Sequence, residues 1–391
     1  MSRVQNSTGL LLLIYLCFIS LGLPDGVLGA AWPAIRADLG QPLAAVGLMT
    51  LTMTLCAGLS SLCAAALTRR WGTGPIVVVS GGMTALALLG FAFAPSFGWL
   101  LLMTVPLGCG AGAVDASVNH FVAKHYSARH MNWLHGSWGI GASTGPVVMG
   151  AVMLKTGQWS SGVLSLGLIQ LLITALLWFY LALWQQPIPK PQIDQQALQP
   201  TPHPSPLSIP ARAAWLAPLC FLLYVGAEAG AGLWAVSILV QERGLSLVQA
   251  GMGLSLYFGA ITLGRFGVGL FAHRMHNRQW VKVGLGLALM GATVFALPLP
   301  GFVGLIGLAL MGLGCAPIFP SMMHETTERF PAEMARTLVS RQMVFSYAGG
   351  SLLPAGLGVL ASWAGLSWVM PGVILLLLGL WLTTQRLDLI T

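Results

Sequence analysis

The chain has 391 residues, 56% hydrophobic and only 7% charged, with a mean hydropathy of +0.81 and a formal net charge of +8. A soluble domain carries about a quarter charged residues, so this composition excludes a soluble globular protein and implies an integral membrane protein. The 18 basic residues are too few and too scattered between apolar runs for a nucleic-acid surface.

Twelve apolar stretches predict transmembrane helices, near 9–35, 43–68, 75–94, 98–122, 131–154, 160–184, 213–240, 246–271, 280–298, 300–323, 334–361 and 366–384. The first runs on to Trp32 without a small-residue cleavage site, which predicts a retained helix and not a signal peptide. Between the sixth and seventh, Gln185 to Arg212 carries prolines at 187, 189, 191, 200, 202, 204, 206 and 210, the composition of an extended linker. The predicted organisation is a six-helix bundle over 1–184, a cytoplasmic linker over 185–212 and a second six-helix bundle over 213–391. All 6 cysteines fall inside predicted spans, without zinc spacing, and read as small core residues. No metal or other cofactor is expected.

Basic residues orient the spans. With the N-terminus in the cytoplasm, the inside segments and inner helix ends hold Arg3, Arg69, Arg70, Lys124, Arg129, Lys190, Arg212, Arg265, Arg274, Arg278, Lys282, Arg329, Arg336, Arg341 and Arg386. Arg36, Lys155 and Arg243 alone fall outside. An excess of Lys and Arg marks the cytoplasmic side, so both termini are expected there, in a cell's inner membrane.

The two halves also echo each other at a near-constant offset. Arg69-Arg70 answers His273-Arg274 at a shift of 204, Leu107-Gly108-Cys109 answers Leu313-Gly314-Cys315 at 206, and Gly145-Pro146 answers Leu353-Pro354 at 208. Agreement within a few residues predicts two parallel six-helix repeats, the arrangement of the major facilitator fold. The same shift carries Asp25 in helix 1 onto Glu228 in helix 7.

Of the 10 acids, Asp25, Asp115 and Glu228 are the ones deep within spans. Ionisable groups at that depth are costly and by default mark a pathway for ions or solutes. Asp115 lies one turn from Asn119 and shares a face with Gly108 and Gly112, whose small size lets a neighbouring helix approach. Asp25 is about sixteen residues, roughly 24 Å, from the inner end of helix 1, and Asp115 is closer to the inner side. Pro24 and the flanking glycines predict a kinked or locally open helix at Asp25. A competing reading makes these acids structural, hydrogen-bonded within their own half. Further polar candidates are Asn119, Asn132, His135 and Gln342. Trp32, Trp138, Trp234, Tyr257, Phe345 and Tyr347 are aromatic surfaces for a sugar ring, with packing or interface anchoring as the alternative role. Trp32 ranks higher because it lies two turns beyond Asp25 on the same face.

Four stretches carry a family resemblance. They are Gly108 to Asn119, Tyr224-Val225-Gly226-Ala227-Glu228, Leu263 to Gly269, and Gly314 to Pro320. Together they make the chain resemble a major facilitator superfamily transporter, and within it the fucose:proton symporter family with its glucose/mannose relatives. The loops at 65–72 and 269–274 resemble degenerate copies of the superfamily's basic loop motif, with Arg69, Arg70 and Arg274 as their cations, and Arg265, just before the second, joins them as a gating candidate. Arg69 and His273 stand where an aspartate is usual. The resemblance implies proton coupling and sugar binding at acids of helices 1 and 4, which here are Asp25 and Asp115.

The expectation is a proton-coupled symporter for a neutral, sugar-like solute, working as a monomer by alternating access between the halves. Protons, the solute and the lipid bilayer are its partners, without nucleic acid. The substrate-binding set comprises Asp25, Trp32, Asp115, Asn119, His135, Trp138, Glu228, Trp234, Tyr257 and Gln342. The alternative is proton-coupled efflux of drugs or organic cations. An intramembrane enzyme is disfavoured, since no Gly-x-Gly-Asp motif with a partner Tyr-Asp and no intramembrane Ser/His or zinc-spaced set is present.

Overall fold

A computed structural model describes residues 2–126, 128–185, 212–271 and 274–391. The proline-rich linker, apart from its end residues, and His273 lie outside the described residues, as do the side chains of Arg3, Lys124, Arg129, Asn132 and Arg336. The helices of the N-terminal half are α1 (Ser2–Gly22), α2 (Val27–Asp38), α3 (Val46–Trp71), α4 (Thr73–Ala92), α5 (Phe97–His125), α6 (Ala128–Thr156) and α7 (Trp159–Phe179). Those of the C-terminal half are α8 (Ala213–Gln241), α9 (Leu247–Phe271), α10 (Asn277–Ala296), α11 (Gly301–Cys315), α12 (Ile318–Arg329), α13 (Ala332–Ala364) and α14 (Val369–Ile390). They build 12 membrane-length spans among the described residues, α1 with α2 and α11 with α12 each counting as one. An even number of spans returns the chain to its starting side, so both termini share one face, the terminal face.

Turns are short because the residues between spans end helices firmly. Gly72 (φ 83°) follows α3 and Gly365 (φ 99°) follows α13, a left-handed conformation that glycine adopts without a Cβ penalty. Large apolar side chains such as Leu62, Leu86, Phe93 and Trp363 stay exposed on the outside, as expected where lipid is the solvent.

The predicted repeat is visible in the packing. In the N-terminal half α3 and α4 pack on α5, α4 on α7 and α1 on α6. Their counterparts in the C-terminal half pack likewise, α9 and α10 on α11, α10 on α14 and α8 on α13. The halves meet where α6 lies along α9, α3 against α13 and α2 against α8. Away from the terminal face this seam is tight. Gly29 faces the backbone of Gly232 and Leu233, Gly47 faces Ala355, and Gly358 lies over Ala44.

Two spans are interrupted. Between α1 and α2, residues 23–26 form turns in which Asp25 N–H donates to Gly22 O at 3.2 Å and Val27 N–H to Pro24 O at 3.0 Å. The sequence anticipated this opening at Pro24-Asp25. The break at Ala316-Pro317 lies inside the stretch 300–323 that the sequence predicted as one helix. Pro317 has no N–H for the preceding turn, and the hydroxyl of Tyr224 donates to the carbonyl of Cys315 beside the gap, at 2.8 Å.

Close backbone contact fixes both candidate acids in place. A Cβ on Gly22 would fall on the carbonyl of Trp138, and one on Gly141 on the carbonyl of Ile19, so α1 and α6 cross in direct contact beside Asp25. Gly108 and Gly112 likewise abut the carbonyls of Met53 and Ala57 on α3, as their spacing predicted. Across that contact Ser60 Oγ donates to Cys109 O at 2.5 Å and Ser61 Oγ to Gly112 O at 2.9 Å.

Candidate functional site

Asp25 stands at the α1–α2 break, at mid-depth of the bundle. Trp138 Nε1 of α6 donates to its Oδ2 at 2.6 Å, a geometry set by the glycine crossing of the two helices. The Trp138 indole then reaches the other half. The edge of Phe258 meets it at 6.1 Å between centroids and 89°, and the Arg265 guanidinium of α9 lies 5.4 Å from its centroid. Arg265 Nη2 is 3.5 Å from Glu228 Oε1 of α8, with both side chains mostly buried. The Tyr257 hydroxyl donates to the Glu228 carbonyl at 3.1 Å. Asp25, Trp138, Arg265 and Glu228 therefore form one row crossing from half to half.

Asp115 makes the second crossing. Asn119 Nδ2 donates to its Oδ1 at 2.9 Å, and the Tyr347 hydroxyl of α13, in the opposite half, donates to its Oδ2 at 3.2 Å. Asp25 and Asp115 are close enough for their charges to interact. Glu228 has a cation for a partner, whereas Asp25 and Asp115 are held by uncharged donors, Trp138 for the one and Asn119 and Tyr347 for the other.

Exposure sorts the predicted residues. Asp25 and His135 keep accessible surface although protein surrounds them, and Asp115, Asn119, Trp138 and Glu228 are half-buried. His135 packs edge-on to Phe18 at 5.6 Å. Trp32, Trp234, Tyr257 and Gln342 are each 0% exposed and present no surface to a solute in this conformation. The indoles are held by structural carbonyls, Trp32 Nε1 donating to Leu43 O and Trp234 Nε1 to Pro354 O, each at 3.0 Å. Gln342 Nε2 donates to Thr326 Oγ1 at 2.8 Å inside the C-terminal half. Nearby, Arg329 is bound to Asp388 at 2.6 Å and to Glu325 at 3.2 Å, which ties α12 to α14.

The basic residues divide as well. Arg69 and Arg70 are exposed at the terminal end of α3, and Arg274 lies 5.0 Å from the Phe271 ring centroid at the corresponding end of α9. Arg265, grouped with these by sequence, belongs instead to the central row, because its long side chain reaches back from the last turns of α9 to Glu228. Two partnerships escaped the sequence. Arg265 with Glu228 was signalled by a lone arginine inside an apolar run, which needs a counter-charge. Tyr347 with Asp115 had a weaker signal, a phenol at depth whose hydroxyl needs a partner.

The family model described as Major Facilitator Superfamily matches residues 14–354. An uncharacterised MFS-type transporter of Yersinia pestis is 26% identical over 367 residues, covering 89% of each chain. Among solved structures, a bacterial homologue of the human lysosomal transporter Spinster, inward-facing and unoccupied, superposes with a TM-score of 0.75 at 15% identity, covering 98% of this chain and 97% of the other. The nucleoside transporter NupG, solved as a point mutant, gives 0.71 at 12% identity, covering 97% and 98%. At these identities the structural likenesses speak for the fold.

Proposed function

Since this chain belongs to the major facilitator superfamily, a family of membrane transporters and not of enzymes, we propose that it is a proton-coupled symporter for a neutral, sugar-like solute. One observation carries the proposal. Asp25 and Asp115 lie at membrane depth, keep accessible surface and sit beside groups that reach the opposite half. Carboxylates so placed bind a proton when the space between the halves is open on one side and release it when the opening changes sides. Protonation removes buried charge and makes the rocking of the halves less costly with solute bound. Sequence likeness to the fucose:proton symporter family supports the solute class. Trp138, half-buried beside Asp25, is the aromatic face available for a sugar ring to stack against. The distribution of Lys and Arg supports an orientation with both termini in the cytoplasm, in the inner membrane.

Reconstituted vesicles test the reading. Asp115→Asn should abolish solute accumulation driven by an imposed proton gradient, and Asp25→Asn should do the same. Undiminished accumulation by either variant removes that acid from proton coupling. The solute panel includes hexoses, deoxyhexoses and a nucleoside, whose ribose offers a comparable ring.

A second reading draws on Asp25 and Asp115, acids at membrane depth held by uncharged donors, with the Trp138 ring beside Asp25, which also suits exchange of protons for a lipophilic cation. Direction separates the two. Uptake of a sugar with protons supports symport, whereas outward movement of a cation against protons supports antiport.

A further inference from the structure

Tyr347 offers more than an aromatic surface, for its hydroxyl makes a bond between the halves that ends on a candidate proton-binding group. Both oxygens of Asp115 accept from donors, Asn119 on its own helix and Tyr347 from across the seam, the pattern suited to an ionised carboxylate. A charge-assisted hydrogen bond is about twice as strong as a neutral one, so the strength of this contact follows the charge on Asp115. Other contacts of α3 and the turn before it with α13, Gly47 with Ala355 and Ala44 with Gly358, lie nearer the opposite face and are apolar, hence indifferent to protons.

We propose that Tyr347 is a positioning residue for the transport cycle: its bond to ionised Asp115 holds the halves together toward the terminal face, and loss of that charge releases them. This rests on the reading of Asp115 as a proton-binding group. The groups around Asp115 leave it as the member of the contact whose charge changes. Its own helix offers Asn119, α13 offers Tyr347, and α3 offers the hydroxyls of Ser60 and Ser61, the latter also facing the phenol. Beside it α4 presents Ser80 and Thr84 at Gly110, and the α1–α2 break brings the carboxyl of Asp25. α6, which also carries His130 and Lys155 nearer its ends, brings His135, whose charged neighbour is Arg265.

The device fits symport. A proton arriving from the side opposite the terminal face would loosen the bond and let the space open toward the terminal face, and proton release there would let the bond re-form before the return.

The experiment measures the distance between the halves by electron–electron spin resonance on the full chain in vesicles. Labels are carried by Trp71→Cys on α3 and Arg386→Cys on α14, with Cys63→Ser to remove an exposed native thiol. With Tyr347 in place, the distribution should move to longer separations as pH falls. Tyr347→Phe should hold the longer separation at every pH, Asp115→Asn should do the same, and the double variant should go no further. Monofluorotyrosine at 347, a stronger donor with the same shape, should move the transition to lower pH. A wild-type pH response in Tyr347→Phe overturns the role of Tyr347 and leaves the Asp115 reading standing. A wild-type response in Asp115→Asn overturns both. If Tyr347→Phe fails to fold, the fluorotyrosine protein decides, and an unmoved transition overturns the proposal.

Discussion

Arg265 and Glu228 meet at 3.5 Å with side chains only 17% and 12% exposed, so each is the other's main compensation for leaving water. Removing one partner of such a pair strands the other charge, which typically costs about 3 kcal/mol or more. Glu228→Gln should therefore lower the thermal unfolding midpoint of the purified protein clearly. Adding Arg265→Gln should recover much of the loss, because the double variant holds no unpaired charge. Equal midpoints for wild type and Glu228→Gln would show that Arg265 finds its counter-charge elsewhere. At this scale the sequence was informative about which side chains are out of place in an apolar run and poor about what they touch. Asp25, Asp115 and Glu228 stand out because acids inside apolar runs are expensive, a one-dimensional signal. For Trp32 and Trp234, helical periodicity gives the face of the side chain but not the carbonyl, of Leu43 or Pro354, that holds the indole in this conformation.

Glycine decides how closely the helices carrying the acids can approach their neighbours. A Cβ on Gly108 would overlap the carbonyl of Met53, a backbone atom that cannot swing aside, whereas one on Gly58, on the neighbouring helix α3, meets nothing within 4 Å. Gly108→Ala should push α5 from α3 and destabilise the protein by about 1–3 kcal/mol, the usual range for overpacking. Gly58→Ala should be neutral or stabilising, since alanine is the better helix former by about 1 kcal/mol. Thermal unfolding of the two variants side by side tests this, and equal midpoints would contradict the close crossing. The Gly108–Gly112 spacing made the crossing readable in advance, and the Pro24-Asp25-Gly26 run did the same for the break between α1 and α2. The break at Pro317 was missed because that proline stands in an otherwise uninterrupted apolar run, where periodicity is silent about continuity.

At the scale of the whole molecule, twelve spans and a repeat of six were legible because hydrophobic length and a constant offset are properties of the chain itself. Which surfaces of the two halves touch is a property of the assembled structure. On the side away from the terminal face, α3 and α13 are in contact at Gly47 and Ala355, where a Cβ built on Gly47 lies 3.0 Å from that of Ala355. Alternating access requires this contact to part once per cycle, so that the space between the halves opens on that side. A disulfide spans about 3.5–4.5 Å between Cβ atoms, within reach of a small backbone adjustment here. Gly47→Cys with Ala355→Cys should cross-link on oxidation, stop gradient-driven uptake, and regain it on reduction, with each single variant insensitive to oxidant. A fully cross-linked protein that still accumulated solute would mean that this seam stays shut throughout the cycle, and that solute passes by a route which does not separate the two halves there.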